Sequence, residues 1–328
     1  MGQGRSRLCA ILAAAAAMVL LVLGGCGTRN SKTSPAPVTL LLDFTPNAVH
    51  AGIYRATARG YDRDAGVRLR VREPGQSSDS VKLLAAGRTD LAILDIHDLG
   101  LAREKGADLV GVMALVQRPL AAVIAQPRIR SPRQLAGRRA GVTGLPSDDA
   151  VLSSEVRGAG GDPRRVRRVT IGFNAVASLL SRRVDGATAF WNAEGVAVTR
   201  RRPGFHVFRV DAYGAPAYPE LIVCTTHRAL RAHPSRIQAA LRAIRHGYDE
   251  TLRDPTGSVR DLPGAVPGLD RGLTMAELRV LLPVFRAPGQ TYGALDAARL
   301  RAWAAWDVRF GILRRRPDLA RTFVPPRR

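Results

Sequence analysis

The sequence predicts an α/β fold arranged as two lobes, and three observations carry that expectation. Short apolar runs alternate with stretches whose apolar positions recur at helical spacing, the order expected of sheets flanked by helices. The alternation runs through twice, with joins near 117–130 and again near 215–228. The chain has 328 residues, of which 46% are hydrophobic, enough for two lobes of roughly 150 residues each.

Taken in order, 38–42 is apolar or threonine and ends in a polar cluster, as a buried strand does. The stretch 50–64 carries Ile53, Ala56, Ala58 and Tyr61 at helical spacing, and 67–71 is the next strand. Ser77, Ser78 and Asp79 open a helix over 78–87, followed by a strand at 91–94, a helix at 98–105 and strands at 109–116 and 121–125. The second run begins with a short helix from Ser131-Pro132 to Leu135. It continues through strand 139–142, helix 148–158, strand 166–171, helix 175–182 and strand 187–190, and closes with strands 207–210 and 221–224. Helices over 235–252, 274–285 and 295–311 end the chain. Such βαβα order implies mostly parallel sheets. The expected division is 38–125 with 225–328 in lobe 1, and 126–224 in lobe 2.

The first residues address the compartment. Arg5 and Arg7 precede an apolar run over 8–23 that is short for a membrane span, and Gly24-Gly25-Cys26 follows. Leu23-Gly24-Gly25-Cys26 resembles the bacterial lipobox, which implies a lipoprotein signal over 1–25 and a lipidated Cys26. An uncleaved anchor helix is the alternative; in both cases the remainder faces outward. Residues 26–37 are small, polar and proline-containing, the composition of a flexible tether. Cys9 leaves with the signal, so Cys224 is the one free thiol of the body, excluding an internal disulfide or a cysteine zinc site. Cys224 lies in the run Leu221-Ile222-Val223-Cys224, the setting of a core residue.

Fifty basic residues against 27 acidic ones give a net charge of +23. Lys32, Lys82 and Lys105 are the lysines, so arginine supplies nearly all of that charge, scattered along the chain with only 5% aromatics. A nucleic-acid reader would gather its charge on one stripe with interleaved aromatics, so no nucleic acid is expected as partner. Nor is catalysis signalled. Gly144-Leu145-Pro146-Ser147 lacks a nucleophile elbow, the six histidines form no ligand pair four apart, and the glycines of 158–161 follow a helix rather than a strand. No metal site and no cofactor is expected.

Ligands in open α/β sheets sit beyond the carboxyl ends of strands. That rule singles out Asp43-Phe44, 75–78, Asp95, 144–148 and 190–194. The first of these lies in Leu42-Asp43-Phe44-Thr45-Pro46-Asn47-Ala48-Val49-His50-Ala51-Gly52, followed by Arg59-Gly60-Tyr61. This opening resembles that of extracytoplasmic substrate-binding proteins of ABC importers, in the branch that binds thiamine pyrimidine precursors and riboflavin. Phe190-Trp191-Asn192-Ala193-Glu194-Gly195, Tyr213-Gly214-Ala215-Pro216-Ala217-Tyr218-Pro219-Glu220 and Leu84-Ala85-Ala86-Gly87-Arg88-Thr89-Asp90-Leu91 agree with it. The resemblance implies a two-lobed periplasmic-binding-protein fold (type II) with two crossovers between lobes. It further implies a monomeric, membrane-anchored receptor that closes on a small heteroaromatic ligand and delivers it to an ABC permease and its cytoplasmic ATPase. The most favoured ligand is a thiamine pyrimidine precursor; riboflavin, another heterocycle or a small sulfonate-like or nitrate-like ligand is the alternative. Eukaryotic enzymes of the same fold, which make the pyrimidine from their own histidine and pyridoxal phosphate, carry a cysteine-rich iron motif that this chain lacks.

An aminopyrimidine presents N–H donors, ring-nitrogen acceptors and a flat π-face. Asp43, Glu194 and Glu220 offer two-oxygen acceptors for the donors. Phe44, Trp191 and Tyr218 offer stacking surface. Asn47, His50, Ser77, Ser78, Asp95 and Asn192 offer mixed polar contacts. Asn47, Ser77 and Ser78 are equally placed to cap helices, and Trp191 and Tyr218 to serve as core.

Overall fold

The computed structural model describes residues 34–74, 80–145 and 147–325. The expected signal and Cys26, most of the expected tether, Ser77 and Ser78 lie outside them. Among the described residues no helix is long and apolar enough to cross a membrane. Ala36–Arg328 clusters as one compact unit holding two five-stranded sheets.

The first sheet has the order β2-β1-β3-β10-β4, formed by β1 (Ala36–Leu41), β2 (Val67–Arg72), β3 (Leu91–Asp95), β4 (Leu109–Ala114) and β10 (Leu221–Thr226). The second has the order β7-β6-β8-β5-β9, from β5 (Ala121–Ala125), β6 (Arg139–Val142), β7 (Arg167–Thr170), β8 (Gly186–Phe190) and β9 (His206–Arg209). In each sheet three strands run parallel, joined by helical crossovers: β2-β1-β3 and β7-β6-β8. β10 lies antiparallel to β3 and β4, and β5 antiparallel to β8 and β9, so both sheets are mixed rather than mostly parallel.

Those two antiparallel strands correct the expected boundaries. The expected division puts β5 in lobe 1, but it pairs in the second sheet; it puts Leu221–Cys224 in lobe 2, but that run pairs in the first. Each enters its new sheet directly after a crossover, and an apolar run does not disclose which sheet it joins. The exchange positions the site. Leu221 pairs with Asp95 at the carboxyl end of β3, and Ala121 pairs with Phe190 at the carboxyl end of β8. Both crossovers, 115–120 and 210–220, therefore pass the carboxyl ends of the parallel strands. Glu220 ties them together, its Oε2 accepting from the backbone N–H groups of Leu120 (2.5 Å) and Ala121 (3.1 Å).

The expected helix over 50–64 breaks at Gly60, whose φ of 81° lies in the left-handed region that terminates helices. Its first part, Ala51–Arg59, packs on the long helix Pro234–Arg253 at a close approach. A Cβ at Gly247 would stand 1.9 Å from the Gly52 carbonyl oxygen, and one at Gly52 would enter the Tyr248 ring. Tyr248 then donates to the Val49 carbonyl (2.6 Å), fixing the turn that carries Asn47 and His50. Helices Val196–Arg201, His227–Ala232 and Pro255–Ala265 were not anticipated from the sequence.

Candidate functional site

A cavity of about 130 Å³ opens where the carboxyl ends of β1, β3, β6, β7 and β8 meet the two crossovers. Its polar lining holds six carboxyl groups, Asp43, Asp95, Asp98, Asp148, Glu194 and Glu220, beside His97, two amides and four hydroxyls. No lysine or arginine is among its described lining residues, in a chain whose net charge is +23.

One part of this lining is organised around Asp43, in the loop after β1. Its Oδ1 meets His50 Nε2 at 2.9 Å, while His50 Nδ1 accepts the Asn47 N–H at 3.2 Å. The second bond fixes the tautomer: the proton sits on Nε2 and is donated to Asp43, leaving Asp43 Oδ2 without a described donor. Asn47 caps the following turn through its Oδ1 and the Val49 N–H (2.9 Å). Phe44 meets Phe173, from the loop after β7, edge to face at 5.2 Å between centroids. The pair brings two aromatic faces to the cavity from the two sheets.

After β8 the chain forms a π-helical turn, Trp191–Gly195. Asn192, Ala193 and Glu194 of this turn all line the cavity. Glu194 Oε2 accepts the Phe190 N–H (3.2 Å); burial, together with the charge of Asp43, raises the pKa of its carboxyl. Asn192 is buried, and its Oδ1 has no hydrogen-bond partner among the described residues. Behind Glu194 stands Glu277 of helix Arg271–Phe285, whose Oε2 accepts the Ala48 N–H (3.2 Å). Burial, opposed by that bond and reinforced by the charge of Glu194, pushes the Glu277 pKa up to about 7.

A second polar group forms the floor. Asp95 caps helix Ile96–Glu104 by accepting the His97 N–H (2.7 Å). His97 is fully buried, with Nδ1 2.8 Å from Asp307 Oδ1 and Nε2 3.2 Å from the Tyr218 hydroxyl and 3.9 Å from Glu220 Oε1. Burial disfavours its charge, but Asp307, Asp95 and Glu220 outweigh that and raise its pKa to about 10, which favours an imidazolium among these carboxyls; the Trp303 indole N–H stands 3.1 Å from the same Nδ1. Burial raises the Asp95 and Glu220 pKa values as well. Asp95, His97 and Glu220 each place one nitrogen or oxygen atom within 4.8 Å of the others, but a metal held there would have to displace the proton that these carboxyls keep on His97.

Of the residues singled out in the sequence, Asp43, Phe44, Asn47, Asp95, Asn192, Glu194 and Glu220 line the cavity. Three others do not line it. His50 is fully buried behind Asp43 and orients it. Trp191 turns away, donating its indole N–H to the Pro119 carbonyl (2.9 Å) beneath the Arg209 guanidinium, 4.1 Å from the ring centroid. Tyr218 is fully buried against His97 and Trp306. Sequence reasoning missed Phe173, although the strand-end rule applied to β7 points at it. It also passed over Asp148 as an individual residue. Asp148 Oδ2 accepts from the Thr143 hydroxyl and the Gly144 and Leu145 N–H groups (2.7, 2.7 and 3.0 Å), shaping the loop after β6.

Residues 47–258, well over half of the chain, match the family described as NMT1/THI5 like, and the chain belongs to that family. It is 28% identical over 298 residues to the formylaminopyrimidine-binding protein of Halalkalibacterium halodurans, covering 88% of this chain and 90% of that protein. It is 24% identical over 253 residues to the 4-amino-5-hydroxymethyl-2-methylpyrimidine phosphate synthase of Legionella pneumophila, covering 76% and 79%. Among solved structures, the alkanesulfonate-binding protein SsuA of Xanthomonas axonopodis pv. citri bound to MOPS superposes with a TM-score of 0.70 at 17% identity, over 89% of this chain and 99% of that one. SsuA of Escherichia coli gives 0.69 at 16%, over 90% and 94%. The fold is that of the periplasmic binding proteins.

Proposed function

We propose that this chain is the extracytoplasmic receptor of an ABC importer and captures a small aminopyrimidine precursor of thiamine between its two sheets. The observation that carries the reading is the cavity's chemistry: six carboxyl groups and the Asn192 amide against a single basic lining residue, His97, which is itself held among Asp307, Asp95 and Glu220, beside the Phe44–Phe173 pair. Such a lining accepts hydrogen bonds and repels anions, which favours an amino-substituted ring over the sulfonates that fold neighbours are named for. Size argues likewise. At roughly 10–15 Å³ per water-sized volume, 130 Å³ accommodates a single substituted ring more readily than a three-ring flavin. The formylaminopyrimidine-binding relative, matched over most of its length, supports the same ligand class.

In this reading Asp43, Glu194 and Asn192 accept from the ligand, Phe44 and Phe173 cover its faces, and the two crossovers serve as the hinge. Cys26 carries the lipid that holds the receptor at the membrane beside its permease and ATPase. Binding rather than turnover is favoured although synthases are among the relatives: Cys224 is fully buried within β10, with its thiol pKa raised by burial, so it offers no reactive thiolate. The test is thermal unfolding of the protein with formylaminopyrimidine, riboflavin or an alkanesulfonate. A rise of several degrees with the pyrimidine alone is expected, since a ligand at 100 times its Kd adds about 2.7 kcal/mol. A shift with riboflavin or sulfonate alone overturns the ligand, and pyrimidine consumed in a turnover assay overturns the receptor.

A further inference from the structure

The charge of the cavity wall around Glu194 is not balanced by the protein itself. Three carboxyl groups reach this region from three elements: Asp43 from the loop after β1, Glu194 from the turn after β8, and Glu277 from helix Arg271–Phe285. The one basic side chain held against them is His50, and its Nδ1 already accepts the Asn47 N–H, so it gives Asp43 a neutral hydrogen bond rather than a counter-charge. Asp43 Oδ2 takes no described donor, Glu194 Oε2 is engaged by the Phe190 N–H, and Asn192 Oδ1 is buried and unpartnered. On the floor His97 supplies an imidazolium among Asp95, Glu220 and Asp307. Around Glu194 no described residue does the same.

We infer that the cavity takes its ligand as a cation, the aminopyrimidine protonated on a ring nitrogen, with its N–H edge bridging Asp43 and Glu194. This inference rests on the aminopyrimidine reading and names the form in which the site selects that ligand. Two placements of the proton compete. On Glu194 it leaves a neutral carboxyl facing a neutral ring, with Asp43 still charged beside them. On the ring nitrogen it creates one positive charge attracted by two carboxylates, and charge-assisted hydrogen bonds are roughly twice as strong as neutral ones. The raised pKa of Glu194 has the same origin, since a carboxylate next to Asp43 and Glu277 holds a proton that an arriving base can accept. The step is a proton transfer only: it leaves Glu194 or solvent, binds the ring-nitrogen lone pair, and breaks no other bond. Flat rings that take up no proton, and all anions, are rejected by the same wall.

The direct test is 15N NMR of ring-labelled 4-amino-5-hydroxymethyl-2-methylpyrimidine bound to the protein at pH 8, against the free compound in acid and in base. A bound ring nitrogen resonating at the acid position supports the inference, and one at the base position overturns it while leaving the pyrimidine reading intact. Glu194→Gln should return the resonance toward the base position and weaken binding by about tenfold or more; an unchanged resonance overturns the role of Glu194. Benzamidine and benzoate, compared by thermal unfolding, separate the two layers. Stabilisation by benzamidine with no response to any pyrimidine keeps the preference for a cation and ends the pyrimidine reading. Stabilisation by benzoate overturns the cation.

Discussion

The floor and the wall of one cavity are both built from carboxyl groups, yet they are finished differently. On the floor, Asp95, Glu220 and Asp307 surround His97, whose ring is held by Asp307 and Tyr218. Backbone N–H groups of Leu120, Ala121 and His97 occupy further carboxylate oxygens there. On the wall, Asp43 and Glu194 each have one oxygen engaged by a neutral donor, and no cation stands between them. The floor sets its carboxyls around His97 and the joint between the sheets, although Glu220 Oε1 is left without a hydrogen-bond partner among the described residues; the wall has no such central basic group. The difference predicts that floor substitutions act on folding, and substitutions of the two cavity-lining wall carboxylates, Asp43 and Glu194, on binding.

The largest effect belongs to the floor. His97→Leu removes the imidazolium and leaves three buried carboxyls without a counter-charge, the circumstance in which breaking a buried pair costs about 3–5 kcal/mol. Urea unfolding should show that loss in full. A change below about 1 kcal/mol would mean that the cluster is already neutral and the contrast is misdrawn. Next come the wall carboxylates. Asp43→Asn and Glu194→Gln keep the shape and remove one charge each. We expect pyrimidine affinity to fall by one to two orders of magnitude, about 1.5–3 kcal/mol per lost charged hydrogen bond. Urea midpoints should not fall, since burial already disfavours the Glu194 charge in the folded state, and calorimetric titration beside urea unfolding reads both quantities.

Titration sharpens the contrast further. The folded pKa of Glu277 is raised to about 7 from an ordinary 4.5, so its contribution to stability is fully present below pH 4.5 and is lost as pH rises through 7. The folded pKa of His97 is raised to about 10 from 6.5, so its contribution is present below 6.5 and is lost through 10. Both terms decline toward alkali, in successive windows. Glu277→Gln keeps an acceptor for the Ala48 N–H and removes the first decline, so it should stabilise the protein above pH 7 by up to about 3 kcal/mol and change nothing below pH 4.5. Midpoint temperatures at pH 4, 6, 8 and 9.5 test it; equal shifts at every pH would remove Glu277 from the wall's electrostatics.

How much of this contrast was legible in the sequence follows from the physics of each part. Apolar runs and strand-end polar residues disclosed every strand, and with them Asp43, Asp95, Asn192 and Glu194. What remained hidden was whatever depends on long-range pairing. An isolated run such as Leu221–Cys224 does not disclose its sheet, so Glu220 could be named without its task of joining the crossovers. Asp307, 210 residues from His97, carries no local mark at all. Trp191 reads equally as ligand surface or core in the sequence, and only the fold, which sets its indole N–H on the Pro119 carbonyl, decides which way it points. Hydrogen-bond capacity was legible; which capacity the fold itself would use was not.

The smallest expected effect concerns Phe173, the wall residue that the sequence did not disclose. It is 43% exposed, so its truncation costs the fold little. It touches Phe44 edge to face at 5.2 Å, and such a pair contributes about 0.5–1.5 kcal/mol beyond buried area. If the pair covers a bound ring, Phe173→Ala should weaken pyrimidine binding by about fivefold, and Phe44→Ala by a similar factor. The double substitution should cost less than the sum of the two, because each ring orients the other. Additive losses would mean that the two rings act independently, and no loss at Phe173 would place the guest wholly against the side of Asp43. In either case the carboxylate contrast stands, because it concerns where charge is left open and not which aromatic face covers it.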